Sequence, residues 1–103
     1  MVPDSLLVAA ARRFALLSDP TRLRLLRTLH EEGAMRVGEL AARSGVAREN
    51  ASKHLARLAD AGLLTRRRDG TGVIYGIADE TFSQLCDLVC SSVREQARLL
   101  VEV

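Results

Sequence analysis

Apolar residues recur every three or four positions along the first half of this chain. They switch to strand-like runs at Leu63-Leu64-Thr65-Arg66-Arg67-Arg68 and Val73-Ile74-Tyr75-Gly76-Ile77, and return to helical spacing after Asp79. Between the two runs lies Asp69-Gly70-Thr71-Gly72, a turn sequence, so the pair reads as a β-hairpin. Four helices, one hairpin and a long final helix make a mainly α chain with a small β-hairpin, in the order of a winged helix-turn-helix.

The helical boundaries follow from local chemistry. Leu6, Leu7, Ala10, Phe14 and Leu17 form one stripe over residues 4–17, with Arg12 and Arg13 outside it. Ser18-Asp19-Pro20 supplies a capping side chain followed by proline, so a second helix starts there, carries Leu23, Leu26 and Leu29, and ends near Gly33. A short third helix spans about Val37–Arg43 and is closed by Ser44-Gly45. The fourth runs from about Arg48 to Asp60 and stops at Ala61-Gly62. In the last helix Phe82, Leu85, Cys86, Val89, Val93, Ala97 and Leu100 keep helical spacing.

At 103 residues, 48% hydrophobic and 27% charged, residues 1–103 are expected to form a single domain. A chain of this size buries only about 60–70% of its unfolded surface, so a partner subunit would add stability. No run approaches the roughly 18 apolar residues of a membrane span. The opening Met-Val-Pro-Asp-Ser carries an acid where a secretory signal wants positive charge, so a cytoplasmic protein is expected. Cys86 and Cys90 fit neither a disulfide framework nor a Cys-x-x-Cys motif and are expected to be reduced.

Formal net charge is only +2, but it is unevenly placed: +1 over residues 1–35, +5 over 36–68 and −4 over 69–103. A central basic segment raises the local concentration of a polyanion. With no Trp, two Phe and one Tyr, the chain lacks the stacking platforms that single-stranded nucleic acid needs, so duplex DNA is the expected partner.

The fourth helix carries the chemistry. Val46, Ala51, Leu55 and Leu58 can face a core while Arg48, Glu49, Asn50, Ser52, Lys53 and Arg57 project elsewhere. In a major groove Arg reads guanine, Asn reads adenine and Ser is permissive, roles that fit Arg48, Asn50 and Ser52. The plainer alternative is an ordinary solvated first turn. Arg66, Arg67 and Arg68, just before the Gly-rich tip, suit phosphate or minor-groove contact, or else edge-strand protection.

Two segments carry a resemblance. Phe14-Ala-Leu-Leu-Ser-Asp-Pro-Thr-Arg-Leu-Arg-Leu-Leu26 and Ser52-Lys-His-Leu-Ala-Arg-Leu-Ala-Asp-Ala-Gly-Leu-Leu64 resemble the second helix and the recognition helix of the ArsR/SmtB family of bacterial metal- and stress-responsive repressors. The likeness covers roughly residues 12–78. It implies a homodimer built on the first and last helices that binds an inverted-repeat operator and releases it when an inducer arrives. It also places Lys53 and His54 in the recognition pattern, giving the expected set Arg48, Asn50, Ser52, Lys53, His54 and Arg57.

The family's metal sites are degenerate here. Its third-helix thiolate pair would fall within Met35-Arg-Val-Gly-Glu-Leu40, where Arg36 and Gly38 stand instead. Its last-helix site aligns with Asp79, Thr81, Ser92 and Glu95, so only the outer two ligands survive and both imidazoles are lost. Asp79 reads more simply as the N-cap of the last helix. The donors that remain are too few and of the wrong softness for a tight zinc or nickel site.

Cys86 and Cys90, one helical turn apart, are the remaining candidates for a thiophilic or transition-metal inducer or for oxidation, against the alternative of small core hydrophobes. His30, near a helix end, reads as a dipole partner. Two histidines with no triad, phosphate loop or metal cluster do not make an enzyme. The competing function is a winged-helix interaction module, a co-regulator relying on a separate sensor partner.

Overall fold

The computed structural model describes residues 1–102. Its elements are α1 (Asp4–Leu17), α2 (Pro20–Glu32), β1 (Met35–Arg36), α3 (Val37–Ser44), α4 (Arg48–Asp60), β2 (Leu64–Asp69), β3 (Gly72–Ile77) and α5 (Thr81–Glu102).

Local signals set most of these boundaries. The Asp19 carboxylate accepts from the backbone N–H groups of Thr21 and Arg22 at 2.8 and 3.2 Å, satisfying two donors that the helix itself leaves open. Pro20 occupies the first turn, where its missing N–H costs nothing. Gly45 closes α3 in the left-handed region at φ 71°, and three residues later α4 begins, which makes α3 and α4 the helix-turn-helix. At the tip of the hairpin Gly70 has φ 62° while Thr71 does not go positive, the pattern of a II′ turn.

The sheet has three strands, not the two expected from the sequence. β1 pairs antiparallel with β3 (Met35 opposite Tyr75, Arg36 opposite Ile74), giving the order β1-β3-β2. A two-residue strand is too short to show alternation, which is why periodicity misses it.

The core lies among α2, α3, α4 and the sheet. Leu25, Leu40, Leu55, Leu58 and Leu63 are fully enclosed, and Leu26, Leu29, Ala51, Leu64 and Tyr75 join them. One polar pair is sealed inside: Ser44 Oγ donates to Thr28 Oγ1 at 3.0 Å, and Thr28 Oγ1 donates to the Arg24 carbonyl at 2.9 Å. Both hydroxyls therefore keep partners out of water.

α1 and α5 depart from the expected inward stripes. Of the α1 stripe only Leu17 is buried, while Leu6, Leu7 and Phe14 remain more than half exposed. On α5, Phe82 is buried and Leu85 packs on the core, but Leu88, Val89, Val93 and Leu100 face outward. The two helices meet through Arg13, whose guanidinium lies 5.7 Å from the Phe82 ring centroid. The Cα radius of gyration, 15.5 Å, exceeds the roughly 13 Å of a compact 100-residue chain, as expected when helical surface is left unpacked.

Candidate nucleic-acid interface

α4 buries Ala51, Leu55 and Leu58 and exposes Arg48, Glu49, Asn50, Ser52, Lys53 and Arg57, because residues three and four apart share a face. No side chain caps its start: Ala47 is the N-cap and offers no acceptor. The first-turn N–H groups and the positive end of the helix dipole are thus open to an anion.

An open groove of about 850 Å³ runs between α4 and the hairpin. Arg48, Ser52 and Lys53 line it from the helix, Thr71, Gly72 and Val73 from the hairpin, and Arg36 joins them from the start of α3. Asn50 and Arg57 are exposed on α4 but do not line this groove. His54 is turned the other way. Its Nδ1 accepts from Arg22 Nε at 3.0 Å, so it sits half-buried against α2 rather than in the groove.

The three hairpin arginines are all exposed, yet their surroundings differ. Arg66 Nη2 is 2.6 Å from Asp60 Oδ1 and its guanidinium lies 6.0 Å from the centre of the Tyr75 ring. Arg67 and Arg68 make no ion pair among the described residues, and neither do Arg48, Lys53 and Arg57. Pairing alone does not single these five out, since Arg24 and Arg27 on α2 are equally unpaired. Their placement does, because they fall on α4 and the adjoining hairpin. The sequence reading missed Arg36. It belongs to the same basic segment, but only the fold carries it to the groove.

The degenerate last-helix site is otherwise occupied. Asp79 Oδ1 accepts from the Thr81 backbone N–H at 2.9 Å, and this bond holds the carboxyl below its ordinary range. Glu95 is bonded to Arg98, which also lowers its carboxyl. Among the described residues no three His, Cys, Asp or Glu side chains gather as a metal site, so Asp79 and Glu95 do not give a metal a full donor shell within one chain.

Cys86 and Cys90 are free thiols, Cys86 half-buried and Cys90 exposed. Both border the cleft between α2 and α5 and a smaller apolar hollow against Phe14, Leu17 and Leu23. Burial, helped by the neighbouring Cys90 and Asp87, pushes the Cys86 thiol up, which makes it a poorer nucleophile at neutral pH. His30 lies 3.2 Å from the carboxylate of Glu80, the residue just before α5. Among the described residues no helix is long and apolar enough to cross a membrane.

Comparison with known proteins places this geometry. Residues 17–67 match a helix-turn-helix domain family, a span that runs from the end of α1 into β2. The transcriptional regulator KmtR of Mycobacterium tuberculosis is 37% identical over 84 residues, which are 82% of this chain and 64% of KmtR. The chain thus spans just under two thirds of that relative's length. Among solved structures, the antimony-specific transcriptional repressor AntR superposes with a TM-score of 0.85 at 30% identity, covering 95% of this chain and 88% of AntR. The homodimeric winged helix-turn-helix DNA-binding domain Mb0332 of Mycobacterium bovis gives 0.78 at 32% identity, with 93% and 91% covered. With the fold, the order of its elements and these likenesses in agreement, the chain belongs to the ArsR/SmtB family of winged helix-turn-helix transcriptional regulators.

Proposed function

We propose that the chain is a homodimeric repressor that binds an inverted-repeat duplex operator with α4 in the major groove and the hairpin as a wing. The carrying observation is the set of five cations, Arg48, Lys53, Arg57, Arg67 and Arg68, left without ionic partners on α4 and the wing. The uncapped start of α4 adds backbone N–H donors for a phosphate. Asn50, exposed in the first turn, and Arg48 and Ser52 are the base-reading candidates.

The dimer reading rests on the outward apolar faces of α1 and α5, a surface that single chains rarely leave bare. The homodimeric state of Mb0332 supports it. A two-fold pair would present two α4 helices to successive turns of one duplex. The interaction-module alternative is not favoured, because the relatives are transcriptional regulators.

For the inducer we retain a thiophilic or transition-metal ion acting at Cys86 and Cys90, in line with the antimony specificity of AntR. Two thiols on one helix supply two donors, so further donors would have to come from a second protomer or from solvent.

The test is selection of bound duplexes from a random pool, repeated with thiophilic ions, nickel, zinc and oxidants. On the selected operator Asn50→Ala should cost about 1–3 kcal/mol and little on random duplex, because base contacts specify while phosphate contacts position. Equal losses on both would reject the assignment. An inducer response unchanged in a Cys86→Ser, Cys90→Ser chain would retire the thiol reading.

A further inference from the structure

Beyond β1 the wing has little to hold it. β1 pairs with β3 only at Met35 and Arg36, opposite Tyr75 and Ile74, so the tip from Arg68 to Val73 rests on the β2–β3 ladder alone. A two-stranded ribbon of that kind is marginally ordered in water. One side chain reaches across it. Arg36 Nη2 donates to the Asp69 carbonyl at 2.9 Å and lies 3.0 Å from Asp69 Oδ2, where β2 ends and the turn begins.

To arrive there the guanidinium must pass over β3, and it does so at Gly72. A Cβ built on Gly72 would stand 2.1 Å from Arg36 Nη1 and 3.1 Å from Cζ, so only glycine leaves the passage open. Arg36 is also the N-cap of α3, which packs on α4. One residue therefore joins the wing tip to the element that seats the recognition helix.

We propose that Arg36, laid over Gly72 and fastened to Asp69, is a positioning residue that fixes the wing tip relative to α4 for duplex binding. This rests on the duplex reading above. The pair is half-exposed on both sides, and such surface pairs contribute little to global stability. Its effect is on where Arg67 and Arg68 stand.

The sign of the Asp69 effect separates this role from bulk electrostatics. Removing a carboxylate beside a basic surface should, by charge alone, tighten binding to a polyanion. The clamp requires Asp69→Ala to weaken it instead. Gly72→Ala changes no charge, and the atom it displaces is the far end of a flexible side chain, so the chain should remain folded while the guanidinium is evicted.

The experiment measures affinity for the selected operator across a salt series for Arg36→Ala, Arg36→Lys, Asp69→Ala and Gly72→Ala, with thermal unfolding as the control for folding. Amide hydrogen exchange at residues 68–73 is followed without DNA. We expect each variant to bind about five- to tenfold more weakly, the scale of one displaced contact. Gly72→Ala should leave the salt slope unchanged and add nothing in an Arg36→Ala background. Lysine should not rescue, since its shorter stem and freely rotating, strongly hydrated ammonium do not hold one nitrogen against both Asp69 acceptors as the planar guanidinium does with Nη2. Tip exchange should rise in all four.

Binding by Asp69→Ala and Gly72→Ala as tight as that of the parent chain, or tip exchange unchanged, overturns the proposal. A parent chain that binds no duplex at low salt is a different failure. It would bring down the duplex reading and the role given to Arg36 together, while tip exchange would still report whether the clamp holds the wing.

Discussion

Arg22 Nε donates a 3.0 Å hydrogen bond to Nδ1 of His54, tying α2 to the middle of α4. The same guanidinium donates from Nη1 to the Leu16 carbonyl at 3.3 Å, so one side chain touches the end of α1 and the recognition helix together. With Nδ1 accepting, the neutral imidazole carries its proton on Nε2. His54→Ala should destabilise the fold by about 1 kcal/mol, the net value of one such bond, as read from the urea midpoint at constant slope. It should leave the salt slope of duplex binding unchanged, and a slope reduced by one unit would show that His54 meets a phosphate after all.

The buried Ser44–Thr28 pair makes an asymmetric prediction. Thr28→Val strands the Ser44 hydroxyl among apolar neighbours and should cost about 1–3 kcal/mol. Ser44→Ala leaves Thr28 bonded to the Arg24 carbonyl and should cost only about 0.5–1.5 kcal/mol. The double variant should be less destabilised than the two losses added, which a double-mutant cycle in urea measures.

Arg66 and Arg67 are sequence neighbours with different expected roles. Arg67→Ala should reduce the slope of log affinity against log salt by about 0.9, one phosphate's worth. Arg66, already held by Asp60, should give a smaller change when replaced by Ala. Identical slope losses would mean that the Asp60 pair opens on the duplex.

Stability should fall on the acid side for a definable reason. The carboxyls of Asp19 and Asp79 lie below their ordinary value of 3.8, chiefly because backbone N–H groups of Arg22 and Thr81 bond the charged form. A depressed folded value contributes stability that is complete above the unfolded value and is lost as pH falls through the folded one. Replacing both residues by Asn keeps cap acceptors but removes the titration, so the decline in urea midpoint below about pH 4 should flatten. A curve that matches the parent's would assign the acid sensitivity elsewhere.

The two thiols should differ in reactivity. Cys90 is exposed, while Cys86 is half-buried with its thiol pushed up. Alkylation with iodoacetamide at neutral pH, followed by mass spectrometry, should label Cys90 first, and Cys86 labelling should accelerate as pH rises. Faster labelling of Cys86 would contradict its burial.

The sequence by itself determined what short-range chemistry can determine. Asp19-Pro20 started a helix, Gly45 and Gly70 supplied left-handed turns, three- and four-residue spacing marked five helices, and the basic excess pointed to α4 and the wing. Each of these signals acts within a few residues, so a linear reading sees it.

Only the tertiary structure decided what depends on contacts between distant positions. Arg22 meets His54 32 residues away, which turns a residue of the recognition pattern toward α2. Arg36 meets Asp69 33 residues away, across a strand too short to announce itself. The apolar stripes of α1 and α5 were legible, but their direction was not, because hydrophobic spacing says that a face seeks burial without saying whether this chain or another supplies the cover.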